Sequence, residues 1–114
     1  MAIKLQRSDW ARDHAQWSGR FEGQSIGTDV TVLFFSNDRL GAGPVLHRHP
    51  YDEVFIVRQG HARFFIGDET VEAEAGDILL APAWTPHKFE NIGPGRLETT
   101  DIHVSPEHIQ EDLE

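Results

Sequence analysis

The chain of 114 residues is predicted to fold as one all-β domain, either a sandwich or a barrel. Its 10 glycines and 6 prolines separate short runs rich in Val, Ile, Phe and Thr, which is the pattern of strands joined by turns. The length is close to the commonest domain size and supports one hydrophobic core. No internal repeat divides the sequence, so a single domain is expected over residues 1–114, with the barrel core over about 20–104.

Nine strands are predicted from the apolar runs and their alternation with polar residues. In chain order they cover residues 21–24, 30–36, 45–48, 53–58, 62–66, 70–75, 78–81, 87–91 and 97–104. The pair Gly67-Asp68 separates two of these runs and predicts a tight hairpin turn, because both residue types tolerate a positive φ.

A short helix is predicted at the C-terminus, where Ser105 can act as N-cap and Pro106 can occupy the first turn. Ile109 and Leu113 lie four residues apart and would dock this helix. The structure of the first twenty residues is left open, because a helix-like spacing of aromatic residues is soon interrupted by Gly19. Both terminal segments are expected to pack outside the barrel.

Composition excludes several classes of function. Cysteine is absent, which removes disulfides, thiolate ligands and thiol nucleophiles, so any metal must be held by nitrogen and oxygen atoms. The 10 basic and 19 acidic residues give a net charge of −9, which repels a phosphate backbone, so neither nucleic acid nor an anionic membrane is an expected partner. The N-terminus lacks the apolar core of a secretory signal, and a soluble, cytoplasmic protein is expected.

A histidine pair marks the first half of a candidate metal site. His47 and His49 lie two residues apart on a predicted strand, so their imidazoles point to the same face. Glu53 keeps this parity, and the apolar residues Phe55 and Val57 continue it. A lone His-x-His pair is more often a solvated strand face, but the apolar continuation favours a buried one here.

A third imidazole comes from the predicted strand 87–91. Lys88 and Glu90 share one face of this strand, whereas His87, Phe89 and Asn91 share the other. Three inward imidazoles and a carboxylate suit one divalent transition metal, namely Fe, Mn, Co, Ni, Cu or Zn, and not calcium or magnesium, which prefer oxygen ligands. The sequence alone leaves the identity of the metal open.

The residues of this candidate site and their spacing resemble those of the cupin family. The fixed positions of the first cupin motif are all matched, by Gly41, His47, His49, Glu53 and Gly60. The second motif is matched by Gly76, Pro82, His87 and Asn91. Trp84 departs from this second motif, which has glycine at that position. Together the two motifs span residues 41–91.

The resemblance implies a double-stranded β-helix, or jelly-roll barrel, with a metal inside one mouth. In cupins the four ligand positions correspond to His47, His49, Glu53 and His87 of this sequence. The departure at Trp84 predicts an altered loop at the barrel rim, with the ligands unchanged.

Further residues are expected to line the pocket. They are Phe34, Tyr51, Phe55, Phe89, Asp101 and His103. Tyr51 and His103 are the catalytic candidates: Tyr51 shares the parity of the ligands and either bonds a substrate oxygen or packs, since Pro50 can break the strand. Asp101 and His103 are acid or base candidates on the last strand if that face points inward, although a buried, satisfied histidine or a surface one is the commoner role.

Two classes of function remain open. Four protein ligands leave about two positions free on a six-coordinate metal, which favours a metal-dependent enzyme acting on a small organic molecule. A sugar acid, a keto acid or a phenolic is the expected substrate, and the reaction is of isomerase, dioxygenase or lyase type. The alternative is a non-catalytic binding or sensor cupin, because the barrel resembles the sugar-sensing domains attached to AraC-type regulators.

A homodimer is also predicted. Val54 and Ile56 lie opposite the metal face of their strand yet are apolar, whereas a solvated outer face alternates to polar residues. The N-terminal segment could cover them, but the resemblance to cupins favours a second copy of the chain.

Overall fold

The computed structural model describes all residues from 1 to 114 and consists almost entirely of strands. One α-helix, α1, covers Arg7–Trp10, and one 3-10 turn covers Gly23–Ser25. The strands are β1 (Ala11–Asp13), β2 (Ser18–Phe21), β3 (Thr31–Asn37), β4 (His47–Arg48), β5 (Glu53–Gln59), β6 (His61–Ile66), β7 (Glu69–Glu74), β8 (Ile78–Ala81), β9 (His87–Asn91), β10 (Leu97–His103) and β11 (Glu111–Asp112).

The strands form two sheets in which every pairing is antiparallel. The six-stranded sheet has the order β1-β2-β3-β10-β5-β8, and the five-stranded sheet has the order β11-β4-β9-β6-β7. Both sheets contribute to one buried core, which comprises Phe55, Val57, Ala62, Phe64, Ala73, Ala81, Phe89 and Leu97. The predicted all-β jelly roll is therefore confirmed.

Strand alternation determines which side chains enter this core. On β5 the buried residues Phe55 and Val57 alternate with partly or fully exposed neighbours, and β10 shows the same period over its whole length. The predicted hairpin is also confirmed, because β6 and β7 pair from Ile66 with Glu69 outward and Gly67 has φ of 61°.

Asn91 connects three loops at the end of β9. Its buried amide donates to the carbonyls of Asn37 and Gly95 and accepts from the N–H of Gly93. Its backbone N–H also donates to the carbonyl of Ala42, which lies a few residues before the first histidine. This second-motif residue therefore has a structural role, since it fixes three loops to the end of β9.

Two of the predicted elements are wrong. The strand expected over 21–24 ends at Phe21, because Gly23 begins a 3-10 turn whose carbonyl accepts from the N–H groups of Ile26 and Thr28. A Cβ at Gly23 would lie within 2.4 Å of the carbonyl oxygens of Thr28 and Val30, so this close approach requires glycine.

The predicted C-terminal helix does not form either. Residues 104–107 form a bend in place of a helix, and β11 pairs with β4 at the open edge of the five-stranded sheet. Leu113 donates its N–H to the carbonyl of Leu46, while Glu114 accepts from the Leu46 N–H. The local helix signals are overridden because edge pairing satisfies the backbone of β4, which a docked helix would leave open.

The N-terminal segment packs on the outer face of the six-stranded sheet. Trp10 stacks on Phe34 with ring centroids 3.9 Å apart, and Trp17 meets the same ring edge-on at 5.0 Å. The indole of Trp17 donates to the hydroxyl of Thr100, the partner of Phe34 on β10. No helix of the chain has the length and apolar character needed to cross a membrane.

Candidate metal centre

The four predicted metal ligands converge inside one end of the barrel. His47 lies on β4, His49 follows it in the next turn, Glu53 begins β5 and His87 begins β9. Their side-chain donor atoms all lie within 4.8 Å of one another, and the residues are 1–4% exposed. Direct pairing of His47 with His87 across β4 and β9 brings the two motifs together. This group can hold a metal ion.

Backbone carbonyls set the tautomer of all three imidazoles. The Nδ1 atoms of His47, His49 and His87 lie 2.7, 2.8 and 2.8 Å from the carbonyl oxygens of Val45, Tyr51 and Thr85. A carbonyl can only accept, so each Nδ1 carries the proton and donates it. The Nε2 atoms are thereby left as bare lone pairs, which is the form in which imidazole binds a metal.

These bare nitrogens face a carboxylate. Oε1 of Glu53 lies 2.8 Å from Nε2 of His49 and 3.1 Å from Nε2 of His87. Lone pairs would repel at these distances, so each contact requires either a second proton on the ring or a shared cation. A divalent metal would satisfy both contacts at once.

The distances fit such a cation. Metal–ligand bonds of about 2.1 Å at right angles place neighbouring ligand atoms about 3.0 Å apart, close to the two observed separations. Three imidazoles and one carboxylate also form a donor set that suits first-row transition metals. The residues present therefore fit the metal that the sequence predicts.

The charge states of the site are favourable for binding. Burial would raise the pKa of Glu53, but the surrounding imidazoles, first of all the hydrogen bond from His103, hold it well below its usual value, so the carboxylate is ionised. For His47, burial lowers the pKa, which favours the neutral imidazole despite its bond to Val45. Both residues are thus in the protonation states that a metal requires.

His103 and Tyr51 support the carboxylate from behind. Nε2 of His103 lies 3.2 Å from Oε2 of Glu53, and its Nδ1 lies 2.7 Å from the hydroxyl of Tyr51. An ionised carboxylate can only accept, so His103 donates from Nε2 to Glu53, while the hydroxyl of Tyr51 bonds both Nδ1 of His103 and the carbonyl of Ile109. Oε1 of Glu53 therefore stays available for a metal while Oε2 is held by a hydrogen bond, the arrangement that commonly orients metal ligands.

A cavity of about 440 Å³ adjoins this group. His47 and Glu53 reach its wall, together with the rings of Phe55 and Phe89. Asp101 also faces the cavity and is 5% exposed, yet its Oδ1 has no hydrogen-bond partner. Burial, and then the charge of Glu53, raise the pKa of Asp101 well above its usual value, which favours a protonated carboxyl.

The structure places two of the predicted pocket residues differently from the expectation. Phe34 borders the cavity, but its ring packs outward between Trp10 and Trp17, and the neighbouring Phe35 packs inward on Phe89, because successive residues of β3 point to opposite faces.

Tyr51 does not line the cavity. Its ring stacks on His49 with centroids 4.1 Å apart, and its hydroxyl is engaged by His103 and the backbone of Ile109. The other predicted pocket residues line the wall: Phe55, Phe89, Asp101 and His103.

Trp84 retains a glycine-like backbone. Its φ is 67°, the one positive value at a non-glycine residue of this chain, and its N–H donates to the carbonyl of His49 at 2.8 Å. A bulky residue in this region costs about 1–3 kcal/mol. The ring is half-exposed, with the guanidinium of Arg48 5.6 Å from its centroid. The loop therefore keeps the conformation for which the motif uses glycine, and the expected alteration is confined to the side chain.

Several cavity residues are absent from the sequence-based expectations, and four of them carry long polar or charged side chains near the chain ends. These four are Arg12, Arg20, His108 and Gln110. The arginines come from β1 and β2 and the other two from the C-terminal segment, which was expected to form a helix. No local pattern marks them, because they reach the cavity only through the pairing of the chain ends with the two sheets.

Comparison with known proteins identifies the family of the chain. A family model described as a cupin domain matches residues 39–103, more than half of the sequence. This chain belongs to the cupin family. The match spans both motifs and ends on the last residue of β10.

Curated relatives of this cupin include both characterised and uncharacterised proteins. An uncharacterised protein of Methanocaldococcus jannaschii is 34% identical over 55 residues, which cover 47% of this chain and 44% of the relative. Acireductone dioxygenase of Geobacillus kaustophilus is 34% identical over 67 residues, 54% of this chain and 37% of the enzyme. An uncharacterised protein of Streptomyces coelicolor is 31% identical over 81 residues, 62% of this chain and 77% of the relative. The cupin thus spans less than half the length of the first two.

Solved structures confirm the fold. Oxalate decarboxylase of Bacillus subtilis superimposes with a TM-score of 0.76 at 22% identity, covering 83% of this cupin and 27% of the enzyme. A formate complex of oxalate decarboxylase from Lactobacillus farciminis superimposes with a TM-score of 0.75 at 22% identity, covering 82% of this cupin and 30% of the enzyme. At this identity the likeness concerns the barrel alone.

The metal centre leads to a first prediction. We expect the chain to bind one manganese or zinc ion, and His49→Ala to weaken binding by more than the roughly 10–100-fold typical for loss of a supporting hydrogen bond. Isothermal titration calorimetry measures both affinities. His61→Ala, which removes a half-exposed histidine on β6, is the matched control and should bind as the wild type does. Equal affinities for His49→Ala and the wild type would show that the metal lies elsewhere.

Proposed function

We propose that this cupin is a metal-dependent enzyme that acts on a small organic molecule such as a sugar acid, a keto acid or a phenolic. The observation that carries the proposal is the buried group of three tautomer-locked imidazoles and an ionised carboxylate beside a cavity of about 440 Å³. This volume lies within the range of small-molecule sites.

The resident metal would be held by the four converging residues, His47, His49, Glu53 and His87. When bound, a divalent transition metal supplies a Lewis acid that polarises a carbonyl or lowers the pKa of water, and iron adds redox chemistry. Acireductone dioxygenase and oxalate decarboxylase are enzymes by name, and the Bacillus subtilis decarboxylase has Mn(II) centres. These likenesses support the proposal and leave isomerase, dioxygenase and lyase chemistry as the candidate reactions.

The residues of the chain would bind and orient the substrate. Phe35, Phe55 and Phe89 form an apolar wall that would exclude water from one side of the cavity. Asp101 is the cavity group best placed to hold and transfer a proton, since its Oδ1 is unpartnered and burial favours its protonated form. The two catalytic candidates, His103 and Tyr51, are both hydrogen-bonded to other groups of the chain. We therefore assign them a positioning role, which is to orient the carboxylate of Glu53.

One observation favours the alternative, a non-catalytic binding or sensor cupin. Both ring nitrogens of His103 are occupied, by Tyr51 and by Glu53, so Asp101 is left as the one unpartnered carboxyl in the buried wall. A site with few free acid or base groups also suits ligand retention without turnover.

Turnover separates the two functions. Purified protein loaded in turn with iron, manganese, nickel and zinc is assayed against sugar acids, keto acids and phenolics by mass spectrometry. We expect product formation with at least one metal, its loss in His49→Ala, and its retention in His61→Ala. Tight ligand binding that persists in the metal-free protein, with no product for any metal, would overturn the enzyme and support the sensor.

We also propose that the cupin forms a homodimer through the outer face of β5 and β8. Val54 pairs with Leu80 and Ile56 pairs with Ile78, so the four side chains form one apolar patch on the same face. Ile78 is 67% exposed and Leu80 51% exposed. The N-terminal tryptophans cover Phe34 on β3 and leave this patch open. An apolar sheet face of this kind is typical of a contact with another protein.

Sedimentation velocity at micromolar concentration tests the dimer. The wild type should sediment at twice the chain mass of 12.9 kDa, and the Ile78→Lys/Leu80→Lys variant should sediment at the single-chain mass. Val71→Lys, which charges a comparably exposed apolar residue on the other sheet, should leave the mass unchanged. A wild-type protein that shows only the single-chain mass would contradict this proposal.

A further inference from the structure

Two arginines at the mouth of the cavity have no acidic partner. Arg12 on β1 and Arg20 on β2 both border the cavity, and neither guanidinium forms an ion pair. Four other arginines of the chain, Arg48, Arg58, Arg63 and Arg96, do pair with carboxylates. Two positive charges therefore remain available at the entrance.

The guanidinium of Arg20 is held in a fixed position. Its Nη1 lies 2.8 Å from Nδ1 of His108, and because arginine can only donate, the proton of His108 is on Nε2. That Nε2 donates to Oε1 of Gln110 at 3.1 Å, and the amide of Gln110 donates to Asp112 at 2.6 Å. The backbone N–H of His108 donates to Glu22. This chain of bonds orients one edge of the guanidinium and leaves its other N–H groups for a ligand.

Arg20 and Asp101 lie on the same inner face of the six-stranded sheet. Arg20 pairs with Leu33 on β3, and Leu33 pairs with Asp101 on β10, so their side chains share one face. Two strand spacings separate the Cα atoms of Arg20 and Asp101 by about 10 Å. The cavity thus has a cationic group at its mouth and, deeper inside, a buried carboxyl.

The carboxyl of Asp101 is an independent sign of a missing ligand group. It is 95% buried and faces the cavity, and neither its Oδ1 nor the neighbouring hydroxyl of Thr99 has a hydrogen bond of good geometry in the chain. Buried polar atoms are rarely left unpaired, and such an exception at a cavity wall indicates a partner that is not part of the chain. A hydroxyl group is suitable because it can donate to an oxygen acceptor.

We propose that the cavity binds a small hydroxycarboxylate, with its carboxylate on Arg12 and Arg20 and its hydroxyl directed to Oδ1 of Asp101. This inference rests on the proposed function, whose substrate class it narrows. Arginine forks match carboxylates in a bidentate geometry, which selects acids over neutral polyols. The apolar wall between the two polar ends accommodates the carbon chain.

Binding of matched probes tests the proposal. Lactate, propylene glycol and propionate form one set, and gluconate, sorbitol and hexanoate form a longer one, so each set contains a hydroxy acid, its neutral counterpart and its counterpart without hydroxyl groups. Inorganic phosphate is included as a different anion. Affinities are measured by nuclear magnetic resonance titration of both metal-free and zinc-loaded protein.

The hydroxy acid of at least one set should bind at least about tenfold more tightly than both of its counterparts, because each counterpart leaves a charged or buried group unpaired. Arg20→Gln should weaken that binding by about tenfold or more, whereas Arg20→Lys should restore only part of it. Asp101→Ala should weaken binding of the hydroxy acid and leave that of the simple acid unchanged. Arg39→Gln, an exposed arginine outside the cavity wall, is the control.

Four results would overturn the inference: no binding of either hydroxy acid, equal binding of either counterpart in both sets, tighter binding of phosphate, or unchanged binding in a folded Arg20→Gln variant. Unchanged thermal midpoints would show that the variants are folded. Failure of this inference can be distinguished from failure of the proposed function. Hydroxy acids that bind through Arg20 but are never turned over would support this inference and contradict the proposal that the cupin is an enzyme. Turnover of a neutral substrate alone would support the enzyme and contradict this inference.

Discussion

The contact between one carboxylate oxygen and two unprotonated imidazole nitrogens governs this site. Carbonyls of the neighbouring turns fix the Nδ1 protons of His47, His49 and His87, and the bare Nε2 atoms of His49 and His87 then lie against Glu53. In a buried environment this arrangement is stable only with an added positive charge. Much of the surrounding structure can be understood as holding these groups in place.

Several layers of structure contribute to that positioning. Pairing of β4 with β9 sets His47 beside His87, and pairing of β5 with β10 sets Glu53 beside His103. The C-terminal segment closes over this layer, because Tyr51 bonds both His103 and the backbone of Ile109. The same segment carries the bonds that orient the arginine at the cavity mouth. The candidate metal ligands, the residues that support them and the proposed ligand contacts therefore form one connected network.

Features that depend on strand parity and on local turns could be predicted from the sequence. The period of two placed the ligand side chains on the buried face, and Gly67-Asp68 located a hairpin, because both are short-range properties of the backbone. Predictions failed where distant pairing decided the outcome. The C-terminal helix does not form, because this segment pairs with the open edge of β4. Phe34 borders the cavity while its ring packs outward on Trp10, an orientation that alternation could not reveal because both faces of β3 carry apolar residues. The role of Arg20 depends on His108, 88 positions away.

The proposed metal centre is tested most directly by nuclear magnetic resonance, through the scalar couplings between imidazole nitrogens and a bound spin-active cadmium ion in nitrogen-15-labelled protein. We expect coupling to the Nε2 atoms of His47, His49 and His87, with the proton of each ring on Nδ1, and no coupling to His103. Coupling through any Nδ1 atom, or a coupling to His103 in place of one of the three, would contradict the proposed centre.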